Sequence, residues 1–163
     1  MTYNSNSPKQ TQKIAASLAK KMLSTRVPLK RGSFVIALEG ELGAGKTVFV
    51  QGFAKAMGIK SKIKSPTFNL MKHYKITKSN HFKMLYHIDC YRLKDYKDLL
   101  LLGIKNILNS QDNIILIEWA ERVKPILPKK HVKIHIDHVN SEARKIEIGS
   151  YNAVAYSNSR QKF

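Results

Sequence analysis

Cysteine is almost missing from this chain. Cys90 is the single one among 163 residues, so no intramolecular disulfide staples the fold. That excludes a small disulfide-framed secreted domain and fits a reducing compartment. Long apolar runs are lacking as well: the longest, such as Leu99 to Leu102, fall far short of the roughly 20 residues that cross a bilayer. Met1 to Lys13 is polar and shows no apolar secretory core, so a soluble cytoplasmic protein without membrane contact is expected. Acid is scarce too for a chain of this size: 11 Asp plus Glu face 29 Lys plus Arg, a net charge of +18. An excess of that sign is a footprint for polyanions, which leaves direct RNA contact and an acidic protein partner both open. A solvated, lysine-rich surface is the plain alternative, and the lysines between Lys60 and Lys97 do not interleave with aromatics as a base-stacking platform does. The length holds one domain with a sizeable core and is too short for two.

What the chain does carry is a phosphate-binding signature. Gly40 to Thr47, Gly-Glu-Leu-Gly-Ala-Gly-Lys-Thr, completes G-x-x-x-x-G-K-[ST] at the exit of the apolar run Phe34 to Leu38. That run reads as a buried strand, and Val48 to Met57 alternates at helical spacing until Gly58 stops it. Strand, glycine loop and helix form the context the motif requires. Without side chains the loop turns successive N–H groups inward onto phosphate oxygens, and the helix N-terminus adds positive potential there. Lys46 reaches the β/γ-phosphates in this reading, and the Thr47 hydroxyl ligates Mg²⁺. A plain turn with a capped helix is the weaker alternative. The ligand implied is a nucleoside triphosphate, with Glu41, Leu42, Gly43, Ala44, Gly45, Lys46, Thr47 and Val48 as its contacts.

Because acids are few, their places carry information. Asp89 ends the apolar segment Met84 to Ile88, and Glu118 ends Ile114 to Ile117. Carboxylates at the carboxyl ends of core strands sit where open α/β sheets bind ligands. Two such strands flanking the phosphate-loop strand would aim both groups at its Mg²⁺; the bland alternative is a strand-end acid paired with a lysine. The expected order is a helix over Pro8–Leu23, the first strand and loop helix over Ser33–Met57, and an extended segment from Pro66 to Ile76. A hairpin return over Phe82–Cys90 follows, then a helix over Asp95–Leu108 and strands at Asn113–Trp119, His131–Val139 and Ala143–Ser150. This is an α/β chain whose mixed, mostly parallel sheet is flanked by helices. Residues 1–150 form the domain, and 151–163 form a polar tail that frays.

Several motifs taken together resemble one family. After the phosphate loop come Ser65-Pro66-Thr67-Phe68-Asn69-Leu70, Tyr86-His87-Ile88-Asp89-Cys90-Tyr91-Arg92-Leu93, Leu102-Gly103-Ile104 and Ile117-Glu118-Trp119-Ala120-Glu121. In this order and spacing, over about residues 8 to 150, they closely resemble the TsaE (YjeE) family of bacterial P-loop ATPases. The resemblance implies a single-domain P-loop NTPase fold, ATP and Mg²⁺ as cofactors, and TsaB and TsaD as partners. It also implies a role in making threonylcarbamoyladenosine beside the anticodon of tRNAs that read ANN codons, with ATP hydrolysis supporting the partner complex rather than forming the base. Carried over residue by residue, Gly43 to Thr47 hold the phosphates, Thr47 and Glu118 hold Mg²⁺, and Asp89 is the carboxylate near the γ-phosphate. Lys46, Asp89 and Glu118 are thus the catalytic candidates, with Asp89 also a metal candidate. Ser65-Pro66-Thr67 is similar to a switch loop in which Thr67 senses the γ-phosphate, Trp119 lies beside the nucleotide, and Glu121 lies near it. Tyr91 and Arg92 fall to structure or a partner. His73, His81, His87 and His135 read as surface or satisfied core residues, having no metal-ligand spacing with cysteines. The stretch Asp137–Arg144 is short for the family and is given no base or ribose contact.

Three other functions use the same phosphate loop. A small-molecule kinase needs lid arginines, for which only Arg92, Arg122 and Arg144 lie in later loops. A GTPase needs Asn-Lys-x-Asp, and Thr77-Lys78-Ser79-Asn80 ends in Asn where the guanine-reading Asp belongs. The third is a nucleotide-regulated RNA-binding or scaffold protein whose hydrolysis is incidental, which the basic charge keeps alive. No arginine finger is identifiable, so slow hydrolysis completed by a partner is expected.

Overall fold

The computed structural model describes residues 1–24 and 32–149. Its strands are β1 (Thr2–Ser5), β2 (Phe34–Glu39), β3 (Met71–Lys75), β4 (Met84–Asp89), β5 (Asn113–Glu118), β6 (Val132–His138) and β7 (Arg144–Ile148). They join in one sheet in the order β1-β7-β6-β2-β5-β4-β3. The inner pairs β6–β2, β2–β5 and β5–β4 are parallel, while β1–β7, β7–β6 and β4–β3 are antiparallel. Those pairings point five of the seven strands the same way. β2 and β5 are apolar at successive positions because both their faces are covered.

Period-two alternation sorts the core into two layers. Phe34, Ile36 and Leu38 of β2, with Ile114 and Leu116 of β5, face α1 (Pro8–Ser24) and α2 (Lys46–Ala56). Val35, Ala37, Ile115 and Ile117 face the other way, onto Leu99 of α3 (Lys97–Leu101), Ile104 of α4 (Ile104–Asn109) and a 3-10 stretch at Ala120–Ile126. The helix expected over Asp95–Leu108 is therefore two short ones. They break at Gly103, whose φ of 75° lies in the left-handed region and ends a right-handed run.

Other expectations shift for physical reasons. The polar N-terminus contributes β1, which pairs with β7 through backbone bonds that need no apolar side chains. Of the extended segment from Pro66, only Met71–Lys75 is a strand; Asn69 N–H bonds Pro66 O and closes a turn first. Only β5 of the two acid-bearing strands touches β2, since its other neighbour is β6, so β4 with Asp89 lies one strand further out. The polar tail expected over 151–163 lies outside the described residues.

Candidate functional site

Gly45 adopts φ 104°, a conformation that suits glycine, and nothing lies within 4 Å of where its Cβ would stand. The loop thus turns around an open cradle at the start of α2. Ala44 N–H bonds Glu41 O at 3.2 Å, which tightens the turn. Leu42 stands exposed at the tip, its carbonyl 3.2 Å from His138 Nε2. Lys46, only 4% exposed, folds back so that Nζ donates to Gly40 O at 2.6 Å and Glu41 O at 2.9 Å. The ammonium also lies 3.8 Å from the centre of the Trp119 ring. Burial pulls its pKa below the ordinary lysine value, against the pull of Glu118, Glu121 and Asp89.

Thr47 begins the helix beside it. Its hydroxyl donates to both oxygens of Glu118, at 2.9 and 3.0 Å, which leaves its lone pairs for a cation. Glu118 is itself buried at the end of β5 and takes a second donor, His87 Nε2, at 2.7 Å on Oε1. Asp89, directly across from Glu118 in the β4–β5 register, is held by the loop before β3 and by the turn after β4. Its Oδ2 accepts from the hydroxyls of Ser65 and, at 2.7 Å, Thr67, and its Oδ1 accepts from Tyr91 N–H at 2.9 Å. Ser65 and Thr67 are 2.6 Å apart, so Ser65-Pro66-Thr67 is tied to one carboxylate oxygen.

Trp119, just past β5, has φ 59°, a left-handed turn that sets its ring under Lys46, with the Tyr91 ring tilted at 41° against it and 5.0 Å between centroids. Tyr91 is therefore part of the wall of the site, while Arg92 stacks 4.4 Å over the exposed ring of Phe68. Glu121 follows in the 3-10 stretch; its Oε2 is buried without a hydrogen-bond partner among the described residues.

On the far side of the loop lies a cavity of about 420 Å³ lined by Gly43, Gly45, Val48, Ser7, Glu142 and Arg144 among others. Arg144 holds the adjoining loop by donating to Ala44 O at 3.2 Å and Asn140 O at 2.9 Å. The short 137–144 stretch, given no contact in the sequence, thus forms one wall, and the start of α1 forms another. The sequence gives His87 only a surface or core place and Arg144 only that of a possible lid arginine, and neither is expected beside the loop. His87 had a signal, since it stands two residues before Asp89 on the same strand face; Arg144 had none, being 100 residues from its loop partner.

The donor set fits magnesium and a triphosphate. Hydroxyl and carboxylate oxygens are hard ligands, and Mg²⁺ takes one or two from the protein, filling the rest with phosphates and water. Among the described residues there is no group of three or more His, Cys, Asp or Glu that could hold a metal by itself. The orphaned Glu121 oxygen beside Lys46 supplies an acceptor for a hydrated cation.

Comparison with known proteins gives the family. The sequence model described as "Threonylcarbamoyl adenosine biosynthesis protein TsaE" matches residues 5–146. This chain belongs to the TsaE family. The family takes part in threonylcarbamoyladenosine biosynthesis on tRNA. The TsaE protein of Haemophilus influenzae is 40% identical over 116 residues, covering 71% of this chain and 70% of that one. The TsaE protein of Rickettsia prowazekii is 34% identical over 148 residues, covering 90% and 93%. The crystal structure of Bacillus subtilis YdiB superposes with a TM-score of 0.72 at 27% identity, over 98% of this chain and 94% of that one. The mixed α/β sheet is thus the sheet of a TsaE-family fold. No helix among the described residues is long and apolar enough to cross a membrane.

Proposed function

We propose that this TsaE-family chain is a Mg²⁺-dependent ATPase that supports a TsaB–TsaD complex in the cytoplasmic threonylcarbamoyladenosine modification of tRNA. The observation that carries the reading is the convergence of Lys46, Thr47, Asp89 and Glu118 on one open glycine cradle. Lys46, pulled below its ordinary pKa by burial, gains most from an arriving anion. Moving from the Gly40 and Glu41 carbonyls to β/γ oxygens restores its charge balance. Thr47 and Glu118 would hold Mg²⁺, which supplies charge neutralisation on the phosphates. The nucleoside would lie in the 420 Å³ cavity between the start of α1 and Arg144.

Asp89 is bound to Ser65 and Thr67, so it is not free to orient a water. For the γ-phosphoryl group to pass to water, the switch-like loop must release that carboxylate and offer the Thr67 hydroxyl to the γ-phosphate instead. On this reading the exchange makes turnover slow for the chain alone and faster when a partner holds the loop. A pull-down of TsaB–TsaD with this chain tests it: association should differ between ATP and ADP, and equal recovery with both, or none with either, contradicts the reading.

One observation favours a second reading, nucleotide-regulated RNA binding. A hollow of about 650 Å³ is lined by Lys55, Lys60, Lys62 and Lys78 with no carboxylate. Steep loss of tRNA affinity with salt, coupled to ATP, would favour it.

A further inference from the structure

The sheet face beneath α2 is apolar up to its carboxyl end. Leu85 on β4 and Ile114 and Leu116 on β5 are all fully buried there. His87 continues the β4 row directly across from Leu116, and it too is fully buried. A leucine at this position would bury more apolar surface and leave no polar atom behind. Instead the ring keeps Nδ1 buried with no partner among the described residues, an unfavourable arrangement in a low-dielectric core. What the ring does make is one short bond, Nε2–H to Glu118 Oε1 at 2.7 Å. Glu118 in turn takes the Thr47 hydroxyl on both oxygens.

From this geometry we propose that His87 is a positioning residue for the magnesium site. It holds the Glu118 carboxylate from behind, in the rotamer that meets Thr47, so that β4 as well as β5 fixes the placement of the acid. The Nε2–H tautomer is required, because a carboxylate only accepts. The arrangement is that of a metal site in which the partner behind a liganding carboxylate fixes its direction, with losses of 10–100-fold in metal affinity or activity when such a partner goes. The proposal rests on the Mg²⁺–ATP reading above.

The test uses the full chain and two kinds of readout. Trp119, the single tryptophan, lies against Lys46 and reports nucleotide titrations with ATP in the presence and absence of Mg²⁺. In the wild type, Mg²⁺ should raise ATP affinity. In His87→Leu the apparent Mg²⁺ affinity should fall about 10–100-fold, while ATP affinity without Mg²⁺ holds. His87→Gln carries an N–H donor near the place of Nε2 and should recover most of the Mg²⁺ affinity; His87→Asn is too short to reach Glu118 and should not. Equal Mg²⁺ affinity in the Gln and Asn variants overturns the proposal, whether or not the Leu variant folds. So does a Leu variant that loses midpoint and Mg²⁺-free affinity alike, the pattern of a residue needed only for the core. A wild type whose ATP affinity ignores Mg²⁺ overturns the ATPase reading and this proposal with it, and that failure shows before any variant is made.

Discussion

Replacing Gly52 by alanine should destabilise the protein, although alanine is the better helix former. Gly52 lies in the middle of α2 at the contact with α1. A Cβ there would stand 2.3 Å from Gln12 O, 2.5 Å from its Cα and 2.7 Å from its C, against an ordinary contact of 3.4–4 Å. All three are backbone atoms of α1, so no rotamer change relieves the clash; the helices must part by roughly 1 Å. Overpacking of this kind costs about 1–3 kcal/mol, and rigid backbone places it near the upper end. Alanine regains about 1 kcal/mol in helix propensity, leaving about 2 kcal/mol of net loss. For a chain of this length that lowers the thermal midpoint by about 4–8 °C. Because α2 opens with Lys46 and Thr47 and the start of α1 lines the cavity proposed for the nucleoside, ATP affinity should fall with it. Thermal unfolding with and without ATP measures both. A variant more stable than wild type, by the helix-propensity gain alone, would refute the close approach of the two helices.

Three further outcomes follow from the site. Burial holds Lys46 below 10.5 and bound phosphates raise it again, so the Lys46 contribution to ATP affinity is flat in pH below the free-state pKa. It falls as pH rises from there towards the bound-state value; calorimetric titration that finds affinity rising through the alkaline range contradicts the assignment. Burial, with Asp89 and Glu121 adding to it, pushes the Cys90 thiol up to about 12. Alkylation of the native protein at neutral pH should therefore be slow, fast in denaturant, and slower still with Mg²⁺–ATP, and rapid native labelling would count against the buried placement. Arg144→Ala removes charge-assisted bonds to the Ala44 and Asn140 carbonyls and should weaken ADP binding about tenfold, or ~1.5 kcal/mol. Unchanged affinity would remove Arg144 from the site.

The phosphate loop was legible because its chemistry is local: eight consecutive residues dictate strand exit, cradle and helix entry. Asp89 and Glu118 were legible for a related reason, since each ends an apolar run that could only be a core strand. Their relative placement was not, because strand order depends on how β6 inserts beside β2, and no residue in either strand encodes its neighbour. β1 escaped for the same cause: an edge strand held by backbone bonds to β7 needs no apolar pattern. The break at Gly103 was written in the sequence, yet the apolar residues on both sides kept helical spacing across it. His87 has the composition of a surface residue and the address of a core one, and only the meeting with Glu118 gives it a role.

The central claim, that the glycine cradle with Lys46 and Thr47 binds and hydrolyses Mg²⁺–ATP, is tested most directly by one comparison. ATP binding and phosphate release are measured with Mg²⁺ in the wild type, Lys46→Ala and Thr47→Ala, with circular dichroism confirming that each is folded. One nucleotide bound per wild-type chain, slow turnover, and loss of binding or turnover in both folded variants is the predicted result. Wild-type activity retained in both variants, or no Mg²⁺-dependent binding in the wild type, would contradict it.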